Sequence, residues 1–117
     1  MKAAWVGFGE IEIEGRRYEH DLVIDRGKVA KRHKKPSRPY RARFGHTPLS
    51  AGETIPWGGG QLIVGTGASG SLPIMTEVWR EAERRHIEIV ALPTGQALEL
   101  VSETAPKDVR AIIHVTC

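Results

Sequence analysis

The sequence has few of the features that mark a disulfide-bonded, membrane-spanning or metal-binding protein. Its one cysteine, Cys117, cannot form a disulfide within the chain, which favours a reducing, cytoplasmic location. The chain lacks a run of about 18 apolar residues, and glycines interrupt the apolar N-terminal residues that a signal peptide would need. The 5 histidines are dispersed without the spacing of metal ligands. We therefore predict no membrane association, no metal site and no cofactor.

What is present fits a single globular domain. The chain has 117 residues, of which 40% are hydrophobic and 26% are charged. This composition is ordinary for an ordered protein, and the length suffices for one core but not for two. We predict one domain that spans residues 1–117.

Positive charge is concentrated in one segment, Lys31–Arg43, which contains no acidic residue. The segment holds 7 of the 17 basic residues, and the other 10 are outnumbered by the 14 acidic residues of the chain. The basic residues of the segment are Lys31, Arg32, Lys34, Lys35, Arg38, Arg41 and Arg43. Because Pro36 and Pro39 prevent a regular helix, we predict a projecting hairpin or loop that is extended around Arg38–Arg43.

This basic segment is a candidate surface for an anionic partner. Its lysines and arginines can contact phosphates while Tyr40 or Phe44 stacks on bases. No nucleic-acid-binding motif accompanies the charge, however, which argues against nucleic acid. A solvated loop or a docking surface for an acidic protein is the alternative.

The first third of the chain predicts an antiparallel β-meander. Glu10–Glu14 alternates charged and apolar residues, as a strand with one buried face does. Gly15 begins a turn, and Tyr18–Ile24 is predicted to be the returning strand. Asp25–Lys28 predicts a second turn.

Gln61–Pro93 predicts a parallel βαβ unit, around which we expect the fold to be organised. It contains a buried strand, a glycine-rich loop, an amphipathic helix and a second buried strand. The helix is expected to bury Met75, Val78, Trp79 and Ala82, which recur at helical spacing.

The remaining residues predict a second helix and a final strand. Thr94 follows Pro93 in the position of a helix N-cap, and Pro106 ends the helix. Val109–Thr116 is apolar on both faces, which predicts a central strand. The chain therefore predicts an α/β fold with three layers, in which an N-terminal antiparallel β-meander precedes a β-α-β-α-β arrangement with a mixed central sheet.

Five short motifs occur in order along nearly the whole chain. They are FGEIEI at Phe8–Ile13, GHTPLS at Gly45–Ser50, LIVGTG at Leu62–Gly67, PTGQA at Pro93–Ala97 and HVTC at His114–Cys117. In these motifs the chain resembles the Mth938-like domain family (DUF498), which occurs in archaea, bacteria and animal mitochondria. The second and the last motif are most similar to the archaeal branch.

The resemblance implies a fold but no reaction. It implies a mixed five-stranded central sheet whose last strand lies inside the sheet and runs antiparallel to the others. The family has no assigned reaction, so no catalytic residue can be carried over. One animal mitochondrial branch is similar to a respiratory complex I assembly factor, which implies an interaction role for that branch.

The loop of the βαβ unit matches the nucleotide-binding pattern G-x-G-x-x-G. Its candidate ligand-binding residues are Gly65, Thr66, Gly67, Ser69 and Gly70. In a dinucleotide-binding fold such glycines let the backbone approach a pyrophosphate at a helix N-terminus. Here Pro73 delays the helix, and Leu92 stands where an acidic residue would hold the ribose. The pattern favours a structural tight turn first, a small anion second and a dinucleotide last.

Thr94 and Gly95 extend this candidate site. Because neighbouring parallel strands end at one edge of a sheet, their two loops can line one small pocket. Its members would be the Thr66, Ser69 and Thr94 hydroxyls and the Gly67 and Gly95 amides. The alternative is that Thr94 serves only as a helix cap.

Two further pairs of residues suggest acid–base chemistry. His46 and Glu53 lie in one connection and can form such a pair, although hydrogen bonds that fix the loop are the favoured interpretation. His114 and Cys117 point to opposite faces of a strand. We interpret them as a structural histidine and an inert thiol.

The predicted function is a cytoplasmic, non-catalytic binding or assembly scaffold. Its partner would be another protein or a second copy of the chain. The first alternative is a small enzyme, or an anion- or metabolite-binding protein, that uses a pocket between the GTGASG and PTG loops. The second alternative is a nucleic-acid binder that uses residues 31–43.

Overall fold

Two β-sheets and three α-helices make up the computed structural model, which describes all residues from 1 to 117. The strands are β1 (Ala3–Gly7), β2 (Glu10–Ile13), β3 (Arg16–Tyr18), β4 (Leu22–Asp25), β5 (Lys28–Lys31), β6 (Gln61–Thr66), β7 (Glu88–Leu92) and β8 (Arg110–His114). The helices are α1 (Arg41–Phe44), α2 (Thr76–Arg84) and α3 (Thr94–Glu103), with 3₁₀ helices at Lys35–Tyr40 and Pro106–Asp108. No helix combines the length and the apolar character that crossing a membrane requires.

The first sheet is the predicted antiparallel meander, and it contains β1, β2 and β3 in that order. The predicted returning strand Tyr18–Ile24 is wrong in its extent. β3 ends at Tyr18, and β4 begins at Leu22 in the other sheet. The strand is interrupted because Asp21, between the two, turns its side chain into a buried cluster of charged groups.

The second sheet has five strands in the order β5-β4-β8-β6-β7. β6 is parallel to both β7 and β8, so the predicted βαβ pairing is confirmed. β8 lies in the centre, as its two apolar faces predicted. The implied antiparallel last strand is wrong, because β4 is the strand that runs antiparallel to both of its neighbours.

Each face of the second sheet carries its own hydrophobic core. One face packs against α3 and the first sheet, and Ala97, Leu98 and Val101 of α3 are fully buried there. The other face packs against α2 and the connection that precedes β6. The predicted buried face of α2 is confirmed for Met75, Val78 and Ala82 but is wrong for Trp79, which is 45% exposed. Within α2 itself only Val78 and Ala82 are buried, so the helix contacts the sheet along a narrow strip.

The basic segment is helical rather than extended. Lys35–Tyr40 forms a 3₁₀ helix that continues directly into α1, and Gly45 ends α1 at a φ of 76°. Pro36 stands in the first turn of the 3₁₀ helix, where its missing N–H loses no hydrogen bond. Pro39 is accommodated because this short helix lacks the regular bonding of an α-helix. The prediction of an extended chain is therefore wrong.

Candidate functional site

The glycine-rich loop after β6 is bound by the last residues of the same chain. The Ala68 N–H donates to the Thr116 carbonyl at 2.6 Å, and the Ser71 N–H donates to the Cys117 carbonyl at 2.9 Å. A bound anion would need amides of this kind. Two of them already have partners within the protein.

Gly67 is the residue that makes this close approach between segments feasible. Its φ is 103°, and a Cβ at this position would lie 2.5 Å from the backbone carbonyl carbon and oxygen of Cys117. A Cβ at Gly65 would likewise lie 3.1 Å from the Thr94 hydroxyl. The glycines therefore admit neighbouring parts of the chain, as a structural tight turn requires.

Thr94 joins the loop to the last strand instead of capping α3. It is the first residue of α3, the N-cap is Pro93, and no side chain caps the helix. The buried Thr94 hydroxyl accepts a hydrogen bond from the Gly67 N–H at 2.8 Å and donates to the His114 carbonyl at 2.5 Å. The interpretation of Thr94 as a helix cap is wrong, because its hydroxyl faces the centre of the sheet.

The residues predicted to line one pocket fall into two groups. Thr66, Ser69 and Gly70 border a surface depression of about 490 Å³. Thr94 is fully buried behind the loop, and Gly95 lies against β1. Ligand binding at this loop stays a prediction, and it would have to use the first group without the hydroxyl of Thr94.

His46 and Glu53 are not brought together. His46 is exposed, whereas Glu53 is buried. The Glu53 carboxylate accepts hydrogen bonds from Arg32, at 2.7 Å to each oxygen, and from the Ser37 hydroxyl. The two residues therefore do not form an acid–base pair, and Glu53 instead fixes the basic segment to the connection.

A buried ionic cluster lies beneath the basic segment, with Arg32 at its centre. Arg32 is 2% exposed, so it does not belong to the solvent-facing basic patch in which the sequence placed it. Its guanidinium donates to Glu53, to Asp21 at 2.9 Å and to the Pro48 carbonyl at 3.0 Å. Burial on its own lowers the pKa of Arg32, but the bonds and charges of the two carboxylates outweigh burial and raise the pKa above its usual value.

Asp21 extends this cluster to the last strand. Its Oδ1 accepts a hydrogen bond from the Val115 N–H at 3.0 Å, and its Oδ2 lies 2.8 Å from His114 Nδ1. The Lys34 ammonium lies 3.6 Å from the same Oδ2. Burial on its own raises the pKa of Asp21, but His114, Val115 and Lys34 outweigh burial and hold this pKa well below its usual range. Asp21 is therefore an anion at neutral pH.

His114 connects this carboxylate to a hydroxyl. Because ionised Asp21 can only accept a hydrogen bond, Nδ1 of His114 donates to it, and Nε2 is the ring nitrogen that faces away from the carboxylate. The Thr116 Oγ1 lies 3.2 Å from that Nε2. Hydroxyl, imidazole and carboxylate therefore stand in the hydrogen-bonding order that enzymes use to activate a nucleophile.

A cavity of about 380 Å³ opens above the ionic cluster, and its lining is predominantly cationic. The basic lining residues are Lys31, Lys34, Lys35, Arg38, His20 and His33, with Arg32 beneath them, and they outnumber the two acidic lining residues, Glu19 and Asp21. Thr116 also lines the cavity. No group of three or more His, Cys, Asp or Glu side chains is arranged to hold a metal ion. The cavity therefore suits an anionic ligand.

Solved structures with the same fold share sequence over the full length of the chain. PH1505, a conserved hypothetical protein from Pyrococcus horikoshii OT3, is 31% identical over 100% of both chains, with a TM-score of 0.76. MT938 is 27% identical over 95% of this chain and 94% of its own, with a TM-score of 0.67. The chain belongs to the Mth938-like family.

The Mth938-like relationship supplies the fold and no activity. XCC1710 of Xanthomonas campestris is 11% identical over 98% of this chain and 86% of its own, with a TM-score of 0.57, which shows a likeness of fold alone. The chain matches no family model and no curated protein.

The buried ionic cluster around Arg32 is not predicted by the sequence of this Mth938-like chain. Asp21 fell within an expected strand, and Thr116 was not considered as a partner of His114. One indication was present: residues 114 and 116 are two apart in an extended chain, so their side chains lie on one face. The sequence alone does not show that Asp21, nearly a whole chain length away, approaches the same histidine.

Proposed function

We propose that this Mth938-like protein is a binding or assembly scaffold that docks an acidic segment of a partner protein on its basic segment. One observation carries the proposal. Lys31, Lys35, Arg38, Arg41 and Arg43 lie on one short segment and form no salt bridge within the protein. Unpaired cations at this density attract an anionic partner and accelerate its association.

Rigidity of the segment supports docking of a partner rather than a merely solvated loop. Ser37, at the middle of the 3₁₀ helix, is fully buried, and its hydroxyl bonds Ser50 at 2.6 Å and also Glu53. Arg32 fixes the start of the segment through Asp21 and Glu53. Less conformational entropy is lost on binding when the cations are already held in place.

The aromatic residues favour a protein over single-stranded nucleic acid. Stacking platforms for bases are exposed aromatic faces. Here the Phe44 ring lies 5.1 Å from the guanidinium of Arg43, and Tyr40, which is 38% exposed, is the one exposed aromatic side chain of the segment. The segment therefore offers many cations but only one exposed aromatic ring, which favours recognition of charge over stacking of successive bases.

The alternative site between the GTGASG and PTG loops has less support. A ligand there would compete with the carbonyls of Thr116 and Cys117 for the loop amides. A cytoplasmic location belongs to the proposal as well, because the free thiol of Cys117 stays reduced in that compartment.

Titration of a fluorescent peptide of alternating Asp and Gly residues, followed by anisotropy, tests the proposal. The variant Lys35→Glu/Arg38→Glu/Arg41→Glu should weaken binding by about 10-fold or more, and the affinity of the unmodified protein should fall as salt rises. The control Lys28→Glu/Arg80→Glu/Lys107→Glu changes the net charge equally at exposed positions elsewhere. It should bind almost as the unmodified protein does.

Two results would contradict the proposal. Equal weakening by both triple variants would show that net charge, and not the segment, attracts the peptide. Tighter binding of a single-stranded RNA of equal charge than of the peptide, lost in the segment variant, would favour a nucleic-acid binder.

A further inference from the structure

We propose that Thr116, His114 and Asp21 act as nucleophile, base and carboxylate in the cleavage of anionic carboxylic esters bound in the cationic cavity. This activity goes beyond the scaffold role and does not rest on it. It stands on three observations: the order of the hydrogen bonds, the fixed position of the threonine and the charge of the cavity.

The hydrogen bonds run in one direction from the cavity into the core. Thr116 lines the cavity, and its Oγ1 faces Nε2 of His114 at 3.2 Å. His114 is 8% exposed, and Asp21, behind it, is 4% exposed. The hydroxyl is therefore presented to a ligand, while the imidazole lies behind it and the nearly buried carboxylate reaches only the floor of the cavity.

The charge balance of the cluster leaves the carboxylate available to His114. Arg32 lies between two carboxylates, Asp21 and Glu53, so these three groups together carry one negative charge. The Asp21 carboxylate shares that charge between the Lys34 ammonium, at 3.6 Å, and His114 Nδ1, at 2.8 Å. Its direct contact with His114 stabilises the imidazolium that forms when His114 takes a proton.

The backbone of Thr116 is held from both sides. The Val115 N–H is bound by Asp21, and the Val115 carbonyl accepts a hydrogen bond from the Gly9 N–H at 2.8 Å. The Thr116 carbonyl accepts from Ala68. These bonds fix the backbone from which the hydroxyl projects, and such positioning is what a nucleophile needs.

The cavity sets the substrate class. Lys31, Lys35 and Arg38 line it without carboxylate partners, and Lys34 reaches the side nearest Asp21. These cations favour a substrate that carries its own carboxylate. Lys34 shares the cavity lining with Thr116, and its positive charge would favour the negative oxygen that develops on the attacked carbonyl.

The reaction proceeds in two balanced steps. In the first, Thr116 Oγ attacks the ester carbonyl, its proton passes to His114 Nε2, and the leaving alkoxide departs with that proton as an alcohol. In the second, water gives a proton to His114 and attacks the acyl-threonine. The carboxylic acid is released, and the threonine recovers the proton from His114.

Hydrolysis of mono-4-nitrophenyl succinate, an anionic ester, by the full chain tests the proposal, with 4-nitrophenyl butyrate as the neutral comparison. The succinate ester should be hydrolysed with a higher kcat/KM than the neutral butyrate ester. Thr116→Val should lower kcat by about 100-fold or more, because it removes the hydroxyl while keeping the shape. Thr116→Ser should retain activity, and the matched control Thr104→Val, which alters a threonine away from the cavity, should leave the rate unchanged.

Two further readouts separate catalysis from a structural role of the same residues. Acid quenching followed by peptide mass analysis should find a succinyl group on Thr116. Arg38→Gln should raise KM for the anionic ester and leave the neutral ester unaffected. The proposal is overturned if Thr116→Val hydrolyses succinate ester as fast as the unmodified protein, if neither exceeds the buffer rate, or if the acyl group is found on another residue.

Discussion

Two regions flank the residues that follow β8, and they differ in what their sequence suggests and in what they contact. On one side lies the glycine-rich loop, which matches a nucleotide-binding pattern but is bound by Thr116 and Cys117 of the same chain. On the other side lies the cluster of Asp21, Arg32 and His114, which matches no pattern but carries buried charge beneath an open cavity. A motif records local backbone requirements, whereas a site depends on which distant residues meet.

The comparison predicts that the ionic cluster is the more costly side to disturb. Arg32→Met leaves two buried carboxylates without their shared cation, so the free energy of unfolding should fall by about 4 kcal/mol. Urea denaturation measures it. Arg26→Met, at an exposed arginine, is the control and should change stability by less than about 0.5 kcal/mol. Equal stabilities of the two variants would show that the cluster contributes little.

Disturbing the glycine-rich loop should have the next largest effect on the free energy of unfolding. Gly67→Ala places a Cβ 2.5 Å from the Cys117 backbone at a φ of 103°. Strain and overlap should together lower the free energy of unfolding by about 3 kcal/mol. Gly60→Ala is the matched control, since nothing lies within 4 Å of a Cβ there. If Gly67→Ala were as stable as the control, the C-terminal residues would not be packed on the loop.

The Thr94 hydroxyl, which joins the glycine-rich loop to β8, should contribute somewhat less to the free energy of unfolding. Thr94→Val removes the hydroxyl that bonds both the Gly67 amide and the His114 carbonyl. Leaving these two buried groups unpaired should cost about 2 kcal/mol of unfolding free energy. Thr104→Val removes only a bond to the Leu100 carbonyl and should cost less than about 1 kcal/mol. Thermal denaturation of both variants checks the order.

The smallest expected effect is a dependence of stability on pH. The folded-state pKa of Asp21 lies below its ordinary value of 3.8, so its contribution to stability is complete above that pH and is lost as the pH falls further. One such proton changes the unfolding free energy by at most about 1.4 kcal/mol per pH unit. Asp21→Asn should therefore show a shallower loss of stability below about pH 4 than the unmodified protein. Asp108→Asn, outside the cluster, is the matched control, and an equal slope in both variants would exclude this role for Asp21.

The fold was predictable where it depends on local pattern. The alternation around Ile11, the helical spacing around Val78 and the two apolar faces of β8 each reflect burial within a few residues. Trp79 and the basic segment were predicted wrongly because tertiary contacts decide their structure. α2 buries only a narrow strip of side chains, which leaves Trp79 exposed. The buried Ser37 anchors a 3₁₀ helix that contains two prolines.

The site was less predictable because its members are far apart in sequence. Asp21 and His114 meet through the antiparallel pairing of β4 and β8. Glu53 reaches Arg32 from the long connection before β6. No spacing rule records contacts of this kind, and the glycine motif pointed to a surface that the protein covers itself.

The most direct test of where this protein binds its ligands is an NMR titration of the labelled chain with the Asp-rich peptide and, separately, with succinate. We expect the largest amide shifts at residues 31–38 and 115–116, around the cationic cavity. Shifts confined to Gly65–Gly70 and Thr94–Gly95 would contradict the account and would return the ligand site to the glycine-rich loop.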